Sequence, residues 1–518
     1  MNNHRTHNDF SHIYLVDMGF HKQPAGLPRV NSVFITNMKT GQLVLNGTPK
    51  KQPFELNGDN QLVVTRDSGK AMLGYLALGW SLPQYTIDLD IENNHASFSY
   101  SQLKAHMNST LLDSIDMEYA LVRGDYLKAS AVMESNGIPV DVELLNKLKA
   151  NESAILNYVI AHYDADYGIH DSQKLNENRF QQYLTKHHIK WPKNHKGKLI
   201  LTNDTFKKQA AIYPQITPLR KLRKFLSEFK TLNFPVANDN RNRCSINPFA
   251  SKTGRNQPSN REHIFGPAVW VRNLIRPKEG MGIAYIDWSQ QEFGIAAALS
   301  GDQAMQEAYT SGDPYLAFAI QAGSAPKNAT KKTHGEVRQV FKHCTLAVQY
   351  GMSAKSLAKK IKQPVSFAEE LLNLHHQTYK TFWKWSDGNL DYAMLNGHLT
   401  SVLGWRLKIG IDFNPRSIRN FPMQANGAEM LRLACCMLVD EGIKVCTPVH
   451  DAVLIEAPID QLNQTVIRAQ EIMATASSVI LSGFELRSDA DIYRHPNRYQ
   501  DKRGAQTWKL INQALDTA

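Results

Sequence analysis

Gly282-Ile-Ala-Tyr-Ile-Asp287-Trp-Ser-Gln-Gln-Glu292 is an apolar run that stops on an aspartate, and a helix-like segment, Phe293 to Leu299, begins directly after it. Strand character followed by helical spacing puts Asp287 where the chain leaves a sheet. A carboxylate in that place can project toward a bound cation. Mg²⁺ prefers such hard oxygen ligands, and takes only one or two from a protein when substrate phosphates complete its shell. An aspartate ahead of a helix is also a common N-cap. Taken alone, Asp287 leaves both readings open.

Two segments further along sharpen the choice. Pro448-Val-His450-Asp451-Ala-Val-Leu-Ile-Glu456 sets a polar pair between apolar flanks, the pattern of a hairpin with His450 and Asp451 at its tip. An ordinary turn would use aspartate too. As a metal ligand, Asp451 would add the second carboxylate needed to hold two cations about 3.5–4 Å apart for an in-line phosphoryl displacement. Between the two, Arg338, Lys342, Leu346 and Tyr350 recur every four residues, along one helix face. Over roughly 18 Å of helix, Arg338 and Lys342 could meet a triphosphate and Tyr350 a base. A solvated basic helix with one core aromatic has the same spacing.

The rest of the chain sets the bounds. Its 518 residues call for three or four packed units, and 42% hydrophobic with 21% charged residues is ordinary for a soluble protein. No apolar run nears the roughly 18 residues that cross a bilayer, and the N-terminal residues carry no apolar signal region, so a cytoplasmic protein is expected. Five cysteines without CxxC or zinc spacing fit reduced thiols. Of the net charge of +11, the stretch from Asp171 to Leu232 carries +10, with 14 Lys or Arg against 4 Asp or Glu. Such a segment attracts a polyanion, nucleic acid above all, unless it is only a solvated face. Short strands are expected at His12 to Asp17, Ser32 to Thr36, Gln61 to Thr65 and Tyr85 to Leu89. Helices are expected from Asp116, with one continuous apolar face from Val140 to Tyr163, and Pro235 to Arg243 reads as a linker or long turn.

In this order and separation the three segments resemble motifs A, B and C of the family A DNA polymerases, the bacterial DNA polymerase I type. Asp287-Trp-Ser-Gln290-Gln-Glu292 is similar to motif A, Arg338, Lys342, Leu346 and Tyr350-Gly351 to motif B, and His450-Asp451-Ala452 to motif C. Thr253-Gly254-Arg255 looks like the family's Thr-Gly-Arg, and Arg416, Asn420 and Gln424 look like its minor-groove readers. The resemblance implies that Asp287 and Asp451 bind two Mg²⁺ ions, for which Mn²⁺ can substitute, and that Arg338 and Lys342 grip the triphosphate, with Lys342 as proton donor to pyrophosphate. It implies nucleotide contacts for Glu292, Gln290, Tyr350, Leu346 and Tyr315, and DNA contacts for Arg255, Arg416, Asn420, Gln424 and His450. Glu292 would exclude a 2′-hydroxyl, which favours deoxynucleotides. Leu346 departs from the usual aromatic, Ala452 from the usual glutamate of motif C, and Gly294 from a common arginine.

The implied fold is α+β and multidomain. An RNase H-like, exonuclease-type α/β unit (1–121) precedes a right hand of thumb (122–235), palm (236–301 and 396–518) and fingers (302–395). The implied activity is DNA-directed extension of a primer by deoxynucleoside triphosphates in replication or repair. The implied partners are primer-template DNA and nucleotides, with no membrane, and the protein is expected to be a monomer, similar to short phage- or plasmid-carried members. In the first unit Val16-Asp17-Met18-Gly19 lacks the family's Asp-x-Glu, and Thr65-Arg-Asp67-Ser-Gly-Lys70 sets a lysine where a metal carboxylate belongs. A degenerate exonuclease without proofreading is therefore expected. A non-catalytic DNA-binding protein and an RNA-synthesising enzyme stay open as alternatives.

Overall fold

The computed structural model describes residues 6–21, 23, 26–47, 51–53, 56, 60–92, 112, 114–266, 268–349, 351–410 and 413–517. Tyr350 of the expected nucleotide site lies outside them.

The first unit is a five-stranded sheet. Its strands, in spatial order, are Leu43–Gly47, Arg29–Asn37, His12–His21, Gln61–Thr65 and Tyr85–Asp88. The first three pair antiparallel, and the last two run parallel to His12–His21. The Gln61–Thr65 strand is buried along its whole length, as expected of an apolar strand covered on both faces. All four strands read from the sequence are present. Helix Ser68–Leu78 follows, with Asp67 as N-cap accepting from Lys70 N.

Helix Met117–Asn136 joins this unit to the rest. It packs on Ser68–Leu78 and Tyr85–Asp88 on one side, and on helix Pro415–Asp440 and strand Lys444–Val449 on the other. Gly124 makes the first contact possible, since a Cβ there would lie 1.8 Å from the Thr86 carbonyl oxygen. The expected boundary at residue 121 therefore falls inside one shared helix. A helix buried on two sides has no exposed linker to mark a domain edge.

The expected continuous helix face from Val140 to Tyr163 breaks into Val142–Ala150 and Glu152–Asp164. Asn151, with φ −103° and ψ 20°, ends one helix and starts the next. The basic stretch forms a helical arm with its own core around Phe180, Trp191 and Phe206. Its helix Thr217–Phe229 buries Leu219, Leu222, Phe225 and Phe229 and leaves Arg220, Lys221 and Lys224 exposed.

The second sheet is antiparallel throughout, in the order Lys444–Val449, Ala452–Pro458, Met281–Trp288, Ser488–Arg494. Helices Gln291–Ser300, Pro415–Asp440 and Leu462–Ile480 share its main core. A set of helices between residues 303 and 396 is inserted after the Met281–Trp288 strand. Of the two readings of Pro235 to Arg243, linker or long turn, the structure shows the turn, closed by Ala237 N on the Arg241 carbonyl and Asn240 N on the Ala237 carbonyl, both at 2.9 Å. Arg241 and Asn242 pair with Ile138–Pro139, and Arg241 Nη2 meets Glu456 Oε2 at 2.9 Å, both side chains buried. Among the described residues no helix is long and apolar enough to cross a membrane.

Candidate active site

Asp287 stands one residue before the end of its strand. The chain then turns through Gln290, at φ 51°, into helix Gln291–Ser300, whose N-cap is Gln290. Asp287 therefore does not cap the helix that follows it. In register it faces Ala452 on one neighbouring strand and Asp489 on the other. Directly paired residues of an antiparallel sheet share a face.

Across the sheet, Lys444–Val449 and Ala452–Pro458 form the expected hairpin with His450 and Asp451 at its tip. His450 takes φ 57° and is exposed. The Asp451 carbonyl accepts from Trp288 N at 3.4 Å, which stitches the tip to the strand end. The side chains of Asp287 and Asp451 come within hydrogen-bonding reach of each other. Burial, then the Asp451 carboxylate, then Asp489 and Asp491 push the Asp287 carboxyl up to about 8. Asp287 Oδ1 is buried and has no hydrogen-bond partner. A partnerless carboxylate oxygen among like charges is costly, and a divalent cation would neutralise it. Among the described residues no three His, Cys, Asp or Glu side chains form a ready-made metal cage. Two carboxylates fit Mg²⁺, which keeps most of its shell for water and phosphate.

Helix Gly335–Gln349 carries Arg338, Lys342 and Leu346 on one face and buries Phe341, Cys344 and Ala347 on the other. Arg338 Nε donates to Asp313 Oδ2. The guanidinium carbon lies 5.4 Å and Lys342 Nζ 5.6 Å from the centre of the Tyr315 ring. Tyr315 itself is buried at the start of helix Pro314–Gln321.

Arg255 links two further residues of the sequence reading. Its Nη2 is 3.9 Å from Glu292 Oε1, and its Nε donates to the Gln424 carbonyl at 3.4 Å. Arg416, Asn420 and Gln424 follow one face of helix Pro415–Asp440 at steps of four. Arg416 packs on Gly351, where a Cβ would lie 2.8 Å from Arg416 Cγ, so it reaches the end of the Arg338 helix. A cavity of about 650 Å³ opens between Arg255 and His450, with Arg272, Arg432 and His263 in its wall. Burial and then Arg272 lower the His263 imidazole to about 4, so it is neutral there at pH 7. Gln290 keeps a buried Oε1 without a partner.

In the first unit Asp17, Asp67 and Asp88 are engaged by the protein itself. Arg66 Nη2 binds Asp17 at 3.1 Å, and Lys70 Nζ binds Asp67 at 2.5 Å. Asp88 accepts from Ser68 N and Ile91 N, and burial pushes its carboxyl up to about 7.

The sequence reading missed Asp489, Asp491 and Asp313. The alternation Ser488-Asp-Ala-Asp491 was the available signal for the first two, since period two puts both carboxylates on one face. Asp313 had no local signal beyond its role as N-cap of Pro314–Gln321.

A family model described as DNA polymerase family A matches residues 139–483. The chain is 28% identical over 388 residues to DNA polymerase I of Aquifex aeolicus, covering 70% of this chain and 64% of that one. It is 27% identical over 219 residues to a thermostable DNA polymerase I of Thermus thermophilus, covering 39% and 26%. It thus spans less than two thirds of the length of these relatives. A solved POL domain of Pol1 from M. smegmatis, in complex with DNA primer-template and dNTP, superposes with a TM-score of 0.71 at 20% identity. That superposition covers 93% of this chain and 95% of the other, and shows a common fold.

Proposed function

The chain belongs to DNA polymerase family A, and from that premise we propose that it is a DNA-directed DNA polymerase that extends a primer 3′ end with deoxynucleoside triphosphates. The observation that carries the proposal is the meeting of Asp287 and Asp451 at adjoining strand ends, with a buried Asp287 oxygen lacking any partner. In this reading the second sheet is the palm, the helices between 303 and 396 the fingers, and the basic arm the thumb.

Asp287 and Asp451 would hold two Mg²⁺ ions, which when bound lower the pKa of the primer hydroxyl and steady the leaving pyrophosphate. The chain's own side chains do the rest. Arg338 and Lys342, one turn apart on helix Gly335–Gln349, draw in the triphosphate, and Lys342 passes a proton to the departing pyrophosphate. Glu292, set near the Arg255 guanidinium, lies against the sugar. Arg255, Arg416, Asn420, Gln424 and His450 line the path for primer-template DNA. The exposed lysines and arginines of the basic arm hold its phosphates without reading sequence. The protein would act as a monomer in the cytoplasm.

Primer extension tests the proposal. The wild type should incorporate deoxynucleotides in Mg²⁺, and Asp287→Ala should not; equal incorporation by both would end it. Glu292→Ala should raise ribonucleotide use on the order of tenfold to a hundredfold, because a steric exclusion worth ~1.4–3 kcal/mol disappears. Unchanged sugar preference would remove Glu292 from that role.

The same reading assigns the first unit no proofreading. Arg66 already neutralises Asp17, and Lys70 neutralises Asp67, so a metal ion would have to displace cations that are part of the chain. The purified protein should leave a mismatched 3′ end intact in Mg²⁺. Digestion that Asp17→Ala abolishes would show the opposite.

A further inference from the structure

We infer that Tyr315 acts on the incoming triphosphate indirectly, as an aromatic platform that holds Arg338 and Lys342, and that Asp313 is the positioning residue that orients Arg338 on it. The inference rests on the polymerase reading above and assigns roles within that site.

Two cations one helical turn apart repel each other. Here one ring serves both: the guanidinium carbon of Arg338 is 5.4 Å and Lys342 Nζ 5.6 Å from the centre of Tyr315. The negative face of an aromatic ring attracts a cation, most strongly where water is excluded, and Tyr315 is only 7% exposed. The platform is fixed in turn by the start of its own helix. Asp313 Oδ1 accepts from Leu316 N at 3.3 Å, which sets the carboxylate's orientation, and Oδ2 accepts from Arg338 Nε. A guanidinium carries five donors in a planar fork. Engaging it at the Nε edge leaves both terminal nitrogens to bind phosphate oxygens. Asp313 and Tyr315 sit two residues apart, so one helix N-terminus sets the height and the rotation of the arginine together.

This predicts that the ring matters and the hydroxyl does not. In primer extension with the whole chain, KM for the nucleotide and kcat are measured for Tyr315→Phe, Tyr315→Ala, Tyr315→Met and Asp313→Asn, with melting temperatures alongside. Tyr315→Phe should keep KM within about twofold of wild type. Tyr315→Ala should raise KM roughly twofold to thirtyfold, the span of a cation–ring contact from exposed to dry, with a smaller change in kcat. Tyr315→Met fills the space without a ring face and should behave like Ala even where Ala lowers the melting temperature. Asp313→Asn should also raise KM, on the order of tenfold for one lost charge-assisted contact. A KM that rises as much in Phe as in Ala would mean that the hydroxyl itself meets the phosphate, and would overturn the inference. Ala and Met variants with wild-type KM would overturn it too. Wild-type protein that incorporates nothing would instead refute the polymerase reading beneath it.

Discussion

Asp287→Asn should remove nucleotide incorporation and, at the same time, make the metal-free protein more resistant to heat at pH 8. The first effect follows from the proposed metal role. Metal ions supply several kcal/mol of charge stabilisation in a phosphoryl transfer, so losing one of two carboxylate ligands costs on the order of 10³-fold in rate. The second follows from the strand geometry. Burial together with the Asp451 carboxylate holds the Asp287 carboxyl far above the ordinary carboxylate range, up to about 8. Between that range and pH 8 the folded state therefore holds more protons than the unfolded one, and stability falls as pH rises. Asparagine has no charge to bury, so the fall flattens.

Added Mg²⁺ should reverse the trend in the wild type. It should raise the melting temperature more at pH 8 than at pH 6, because at pH 6 the cation must first displace a proton. The asparagine variant should gain little from Mg²⁺ at either pH. Thermal melts at the two pH values, with and without Mg²⁺, together with primer extension, check all four statements. A variant that melts like the wild type under every condition would contradict the shared-charge account of the site.

Glu456→Gln should destabilise the protein by about 3–5 kcal/mol, the cost of leaving a buried charge without its partner. Arg241 and Glu456 are both almost fully covered, 2.9 Å apart, and Lys444 reaches the same carboxylate at 2.6 Å. Burial alone would raise the Glu456 carboxyl, but Arg241 and Lys444 outweigh it and hold it below the ordinary glutamate range. Its contribution is thus complete above that range and is lost as pH falls through the lowered value. Glu456→Gln should remove that part of the acid sensitivity. Replacing both partners, Arg241→Met with Glu456→Met, should recover most of the loss, since an apolar pair of similar volume needs no compensation. Denaturant unfolding of Arg241→Met, Glu456→Met and the double variant makes the cycle. A double variant as unstable as both singles added together would mean that the two side chains act independently.

Much of the site was legible before any fold was known, because its signals are local. The end of an apolar strand fixes where Asp287 leaves the sheet. A polar pair between apolar flanks fixes the tip that carries Asp451, and a step of four puts Arg338 and Lys342 on one helix face. Each depends on backbone periodicity within about ten residues. The first sheet's strands were readable for the same reason.

Tertiary structure alone decided what depends on distant partners. Pro235 to Arg243 has the composition of a linker or long turn, and only the fold shows that Arg241 finds Glu456 215 residues away and becomes part of the core. Asp489 became a neighbour of Asp287 only through strand pairing, and Asp313 a partner of Arg338 only through helix packing. The apolar face from Val140 to Tyr163 continues in the sequence although the helix breaks at Asn151. Local pattern sets which way a side chain points. Only the closing of the chain on itself sets which charge it meets and how little water separates them, and those two quantities govern the chemistry proposed for this site.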